Sequence, residues 1–389
     1  MMNKRFLYRC LIIAAVFATV LDGFGQQRSY NASTPYYPNR IGVDAYMHGG
    51  AFAATTGSIS AMLFNPAGLA ELPGRLTIHA ESCWSAEAEY LGLSGINFSS
   101  QFQALQFAGI ALKTKSKFFV GAFYARPTDF TLKIDPIQVT TEENPDGTGE
   151  FFDARVEREQ TSLGVAMATS FGERLSLGGR IEWRQSKARE KIANVIGEGD
   201  ADAVRFSIGS VLKVNEWSFG ISAQSRYKAT GDFTYSSFPP LIRVDVDPEM
   251  RGNNELIVVE PDAFPFYFVD PATIRFGMVT PSAFEKIRLH FDIEYKGFND
   301  RDSIEPWQFY GGGTLNLASH FQVGFGAFTF TKNYDNAFNI SNAETFLTLG
   351  SAIELKNFRL SASLLDSSLL ADDDTGRLFL NLAVGYVLH

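Results

Sequence analysis

Two short rows of ionisable residues alternate with apolar ones. Arg180, Glu182 and Arg184 are separated by Ile181 and Trp183, and Arg288, His290, Asp292 and Glu294 by Leu289, Phe291 and Ile293. Successive side chains of an extended strand point to opposite faces, so each row projects from one face and its apolar partners from the other. Opposite charges two residues apart on one face can pair, and mutual ion pairing is the plain chemistry for both rows. Guiding a ligand, or gripping another segment of the chain, is the second. His290 beside Asp292 reads as a hydrogen bond on that face rather than a catalytic pair.

Enzymatic chemistry finds little support. There is no Gly-x-Ser-x-Gly elbow, and His48, His79, His290, His320 and His389 are scattered without metal-ligand spacing. Asp372, Asp373 and Asp374, and Glu142, Glu143 and Asp146, read as solvated loop charge. The two cysteines are Cys10 and Cys83. Cys10 falls in an N-terminal segment that reads as a secretory signal over residues 1–25: basic Lys4, Arg5 and Arg9, an apolar run from Cys10 to Leu21, then Gly23-Phe24-Gly25. That run is shorter than the roughly 20 residues a spanning helix needs. The mature chain then keeps one cysteine, which excludes an intrachain disulfide and a cysteine metal site. No cofactor and no metal are expected, and the chain is read as not an enzyme.

The full chain carries −9, and its signal contributes +2, so the mature chain is near −11. Such a charge argues against nucleic acid, whose binding rests on Lys and Arg neutralising phosphates. The 35 phenylalanines are many for a chain whose mean hydropathy is near zero. Apolar residues that alternate rather than cluster, in an exported chain, are what a transmembrane β-barrel requires. Alternation of this kind recurs from Arg75 to His389, giving about fourteen antiparallel strands. Their connections alternate in length. Tight turns fall at 113–116, Phe171-Gly172, Asn215, Ala318 and Lys356, and long excursions at 128–158, 187–202, 229–271, 298–305, 332–342 and 367–375. Short turns at one end and long loops at the other are the pattern of outer-membrane barrels, and a sandwich has no reason to sort its loops so. The ionisable rows must then face the lumen, because Arg or Lys facing lipid at the midplane costs roughly 2–4 kcal/mol. Trp183, Trp217, Tyr295, Trp307 and Tyr386 lie near strand ends on the opposite face, as interfacial anchors would.

Residues 26–74 read as an N-terminal extension ending in a compact plug, and 75–389 as the barrel. The plug is rich in small residues, Gly49-Gly50-Ala51-Phe52-Ala53 and Ser58-Ile59-Ser60-Ala61, and closes on Asn65-Pro66-Ala67-Gly68-Leu69-Ala70. Asn65 is placed as an N-cap with Pro66 at the first helical position, opening a short helix over Ala67 to Leu72. This segment resembles the N-terminal hatch of FadL-type outer-membrane channels, a superfamily that includes long-chain fatty-acid and aromatic-hydrocarbon transporters. Asp270-Pro271-Ala272-Thr273-Ile274-Arg275-Phe276-Gly277 resembles that family's Pro-Ala-Thr-led strand.

The resemblance implies passive uptake of hydrophobic compounds such as long-chain fatty acids, with a hatch gating the path at Asn65, Pro66, Ala67 and Gly68. It also implies a wall gap near a kinked third strand, here with Gly121 and Pro127; proline cannot donate to a ladder and glycine weakens one. The 229–271 excursion, with Phe233, Phe238, Leu241, Phe264, Phe266 and Phe268, reads as an apolar capture loop or a lid packed on itself. Expected partners are outer-membrane lipids, lipopolysaccharide and a hydrophobic small molecule. The full Asn-Pro-Ala-Gly-Leu-Ala form also resembles PorV-type members, which implies an alternative: a scaffold or shuttle with a secretion-system partner protein.

Overall fold

A computed structural model describes residues 41–90, 93–114, 118–138, 151–192, 195–235, 264–282, 286–297, 306–331, 343–370 and 376–389. The proposed signal, and Phe238 and Leu241, lie outside these residues. Eighteen strand segments form one antiparallel sheet. They are β1 (Leu76–Ser85), β2 (Ala88–Tyr90), β3 (Leu93–Phe98), β4 (Gln101–Lys113), β5 (Phe118–Gln138), β6 (Phe151–Phe171), β7 (Leu175–Ile192), β8 (Val195–Val214) and β9 (Trp217–Gln224). β10 (Tyr227–Tyr235), β11 (Phe264–Asp270), β12 (Ala272–Val279), β13 (Ile287–Gly297), β14 (Trp307–Ala318), β15 (Phe321–Thr331), β16 (Ala343–Leu355), β17 (Phe358–Asp366) and β18 (Leu378–Leu388) follow. β1 pairs with β18 over its whole length, from Leu76 opposite Leu388 to Ser85 opposite Phe379, and closes the sheet.

The wall has fourteen strands. β2 and β3 are a small hairpin rising from the wall between β1 and β4, and β3 docks on β5. β9 with β10, and β11 with β12, are single wall strands broken once each. The second break falls at Pro271, which has no N–H for a ladder. Arg205 covers carbonyls left free there, donating to Ser225 O (3.0 Å) and Pro271 O (3.2 Å).

Alternation sets the two surfaces. Leu163, Ile181, Phe206, Leu289, Phe291 and Phe309 are exposed on the outside, while Arg180, Glu182, Arg184, His290, Asp292 and Glu294 are buried inside. A continuous exposed apolar band on a closed barrel is stable only against lipid, so this is a transmembrane barrel of the outer-membrane type. Trp183, Trp217 and Trp307 stand outward, and Tyr295 packs edge-on against Trp307 at 4.9 Å.

Three of the expected loops need correction. β5 runs to Gln138 and β6 begins at Phe151, so much of 128–158 is strand; β7 and β8 carry pairing through most of 187–202. Their charged, alternating sequence forms ladder beyond the lipid-facing band, where both faces can be polar. β10 and β11 likewise take both ends of 229–271 into the wall. Phe264, Phe266 and Phe268 are therefore wall residues and Phe233 lies on β10; the aromatic-rich composition hid a period of two.

Candidate functional site: a docked plug and a seam in the wall

Residues 41–74 fill the short-turn half of the lumen. They contain two single-turn helices, α1 (Val43–Tyr46) and α2 (Ala61–Phe64), and a 3₁₀ helix over Pro66–Glu71. Asn65 caps the last, its side-chain oxygen accepting from Ala67 N at 3.2 Å, as the Asn-Pro motif predicts. The same amide donates to Ala53 O (2.5 Å) and to Ser210 O of β8 (3.0 Å), tying plug to wall. Pro66, Ala67 and Gly68 are buried behind it.

Wall charges grip plug backbone. Asp292 accepts from Phe52 N (2.7 Å) and Ala53 N (2.8 Å). Arg180 donates to Met62 O (2.7 Å) and Leu63 O (2.8 Å), Arg275 to Gly50 O (3.2 Å), and Glu81 accepts from Gly42 N (2.8 Å). Each satisfies peptide groups that no sheet or long helix serves. The remaining lumenal charges pair with one another: Arg184 with Glu182 (2.7 Å) and with Asp270, and Arg275 with Glu294 (2.8 Å). Members of the two rows thus pair with one another and hold plug backbone. Arg288 is the exception, exposed at the short-turn mouth with Ser282 as its partner (2.9 Å). Glu81 and Arg275 carry no motif that marks them in the sequence, although Arg275 sits in the Pro-Ala-Thr strand with the same alternation.

Close approach is possible because the wall presents glycine where plug backbone touches it. A Cβ on Gly220 would lie 2.0 Å from Ala53 O, one on Gly324 2.0 Å from Met47 O, and one on Gly178 2.4 Å from Ala67 N. Gly121 instead makes room for a plug side chain, its Cβ position 2.1 Å from Met62 Cε. It pairs regularly with Ala111 and Ala166, which corrects its expected place in a kink.

His48 of the plug stacks on His290 of β13, centroids 4.1 Å apart and planes 5° from parallel. Thr55 Oγ1 lies 3.2 Å from His290 Nδ1. Burial pushes His48 down to about 4 from its ordinary 6.5, against the nearby Asp44 carboxylate and with the Arg359 guanidinium. An undocked, hydrated His48 takes up a proton near 6.5, and a docked one only near 4. Docking strength is therefore complete above 6.5 and falls as pH drops from there to 4, by roughly 3 kcal/mol. Protection of the plug from protease should decline over that window, and His48→Gln should flatten the decline. These histidines line a cavity of about 340 Å³ beneath the plug, with Arg288, Thr314 and Arg359.

Above the plug the lumen is aromatic. Phe98, Phe130, Phe328, Phe330, Phe346 and Phe379 are buried together over Tyr46, with Phe328 stacked on Phe346 at 5.0 Å. Arg377, ion-paired with Glu344, lies over the Phe98, Phe330 and Phe346 rings at 5.6–5.8 Å. Phe233 and Phe268 join a second buried cluster with Tyr227.

Next to Phe130 the wall is discontinuous. β4 and β5 pair from Lys113 opposite Phe119 up to Phe107 opposite Ala125, and no further; β5 resumes with β3 at Leu132. Both strands are irregular at that level. β4 slips against β1 between Phe107 and Gln103, and β5 slips against β6 between Ala125 and Thr128, around Pro127. The third wall strand is thus irregular at Pro127.

No protein-family model and no curated protein matches the sequence. Solved structures do match. TbuX, a toluene transporter of Ralstonia pickettii, superposes with a TM-score of 0.65 at 12% identity, over 90% of this chain and 99% of that one. The fold is that of the FadL-type channels. The toluene transporter TodX of Pseudomonas putida gives 0.63 at 10% identity over 91% and 100%. A FadL homologue of Pseudomonas aeruginosa gives 0.56 at 11% over 89% and 98%. In this FadL-type barrel the plug fills part of the lumen, and the seam interrupts the ladder between β4 and β5.

Proposed function

We propose that this protein is an outer-membrane channel for hydrophobic compounds, closed by its N-terminal plug, with the β4–β5 seam as a sideways way out. The carrying observation is the aromatic cluster above the plug, which includes Phe130, a β5 residue within the stretch that has lost its β4 partner. A pore for polar solutes has no use for buried phenylalanines on its axis. An apolar molecule gains about 0.8 kcal/mol per methylene buried among them. The plug blocks the straight path beneath, so a molecule in this cluster has lipid as its nearest apolar destination. The fold likeness to toluene transporters supports this reading. We assign gating to Asn65–Gly68, a reading supported by the bond from the Asn65 amide to Ser210 O where plug meets wall.

Native mass spectrometry with lipid extraction, on protein taken gently from outer membranes, tests it. Co-purifying apolar molecules, lost on Phe130→Asp, are the expected result. A bound protein and no small ligand would instead establish the PorV-like secretion scaffold.

A further inference from the structure

Three glutamines of β4 face the stretch where the main-chain ladder lapses. With the Gln101 amide oriented to suit its neighbours, its nitrogen donates to Asp129 O (2.9 Å) and its oxygen accepts from Thr131 N (2.9 Å). Gln103 Nε2 reaches Asp129 O at 3.4 Å. Side-chain amides thus stand in for main-chain rungs between β4 and β5. The third, Gln106, is the first residue past the last true rung at Phe107. It is fully buried, and neither its Oε1 nor its Nε2 has a partner among the described residues.

A buried amide with both ends unmet is unfavourable, and native proteins keep few of them. Replacing it with an apolar residue of similar size would relieve that at once. Its place explains its presence: it stands at the start of the seam, whose β5 side carries Phe130 of the aromatic cluster. The charge nearby is compensated, since Arg126 pairs with Asp129 (3.2 Å) and Glu159 (3.0 Å). An anionic head would have to compete with those two carboxylates for Arg126, whereas a hydroxyl, which both donates and accepts, could meet both functions of the amide, and a carbonyl could accept from its nitrogen.

We infer that Gln106 is a specificity-determining residue: it is the vacant rung of the seam, and takes the uncharged hydrogen-bonding group of an otherwise apolar cargo as the strands part. This rests on the channel reading above, and names the cargo class as neutral amphiphiles such as phenols, alcohols or ketones. Gln101 and Gln103 hold the seam; Gln106 reads what passes.

The test is calorimetric titration of the detergent-solubilised full chain with p-cresol and with toluene, a pair differing by one hydroxyl, against protein-free micelles. Wild type should bind p-cresol about fivefold more tightly, roughly what one net hydrogen bond is worth. Gln106→Leu should erase the preference while leaving toluene affinity unchanged, and should raise the thermal midpoint of the barrel. Should Gln106→Leu fail to fold, Gln106→Met carries the same expectation. Equal binding of the two compounds by wild type, or a preference that survives both substitutions, overturns the inference and leaves the channel reading standing. Binding of neither compound sinks both.

Discussion

Asp292→Ala should release the plug from the barrel. The carboxylate accepts from two buried plug amides, Phe52 N and Ala53 N, and lies 3.7 Å from Arg275. Alanine leaves both N–H groups without an acceptor in a site closed to water. Arg275 keeps Glu294 at 2.8 Å, so the wall itself stays paired. Breaking a buried, charged contact of this kind costs about 3–5 kcal/mol, a large fraction of what a segment of some thirty residues can gain by docking. The expected readout is a step rise in ion conductance through planar bilayers, with new protease cleavage between residues 41 and 74. Asp292→Asn keeps one acceptor and should fall between. Unchanged conductance and cleavage in the alanine variant would show that the plug is held elsewhere.

The second large effect is steric. A side chain at Gly220 would start 2.0 Å from Ala53 O and 2.4 Å from its carbonyl carbon. Those are backbone atoms, so no rotamer change relieves the overlap; the whole 50–54 stretch must lift. Overpacking in a closed interior costs about 1–3 kcal/mol where neighbours can adjust, and more where they cannot. Gly220→Val is expected to raise conductance as Asp292→Ala does, with the carboxylate anchor intact. Gly179→Val is the control: its nearest neighbour is Ser207 O at 3.8 Å, and it should be silent. A conductance rise in the control as large as in Gly220→Val would mean that the wall, not the plug, had failed.

Combining the two substitutions asks whether docking is one cooperative event. Asp292 and Gly220 contact the same short stretch, Phe52 to Ala54, from neighbouring parts of the wall. Residues that share a partner do not act independently. The double variant should therefore resemble the stronger single one.

Much of this was legible beforehand. The row Arg288, His290, Asp292, Glu294 identifies a strand with a polar interior face because strand geometry is local: neighbours point opposite ways whatever the rest of the chain does. The same rule separated lipid-facing Leu289 and Phe291 from lumenal His290 and Asp292, and the Asn65-Pro66 cap was readable because a cap is set within three residues. Reading failed where one signal masked another. The charged stretches 128–138 and 187–192 look like solvated loop but continue the ladder, and 264–270 looks like an aromatic cluster but forms β11.

The chain's own order thus determines a closed, lipid-facing barrel with a plug before it, since alternation, turn residues and capping act between near neighbours. Tertiary structure alone decides what holds the plug and where the wall can part. Asp292 reaches Phe52 across 240 positions, and Arg180 reaches Met62 across 118. Whether a glycine weakens a strand or admits a neighbour's backbone depends on what lies opposite, as Gly220 against Ala53 shows. Gln106 is one of three glutamines on β4, and the slip of two strands at the same level leaves it without a partner among the described residues. Register between distant segments is a property of the closed barrel, and no local pattern encodes it.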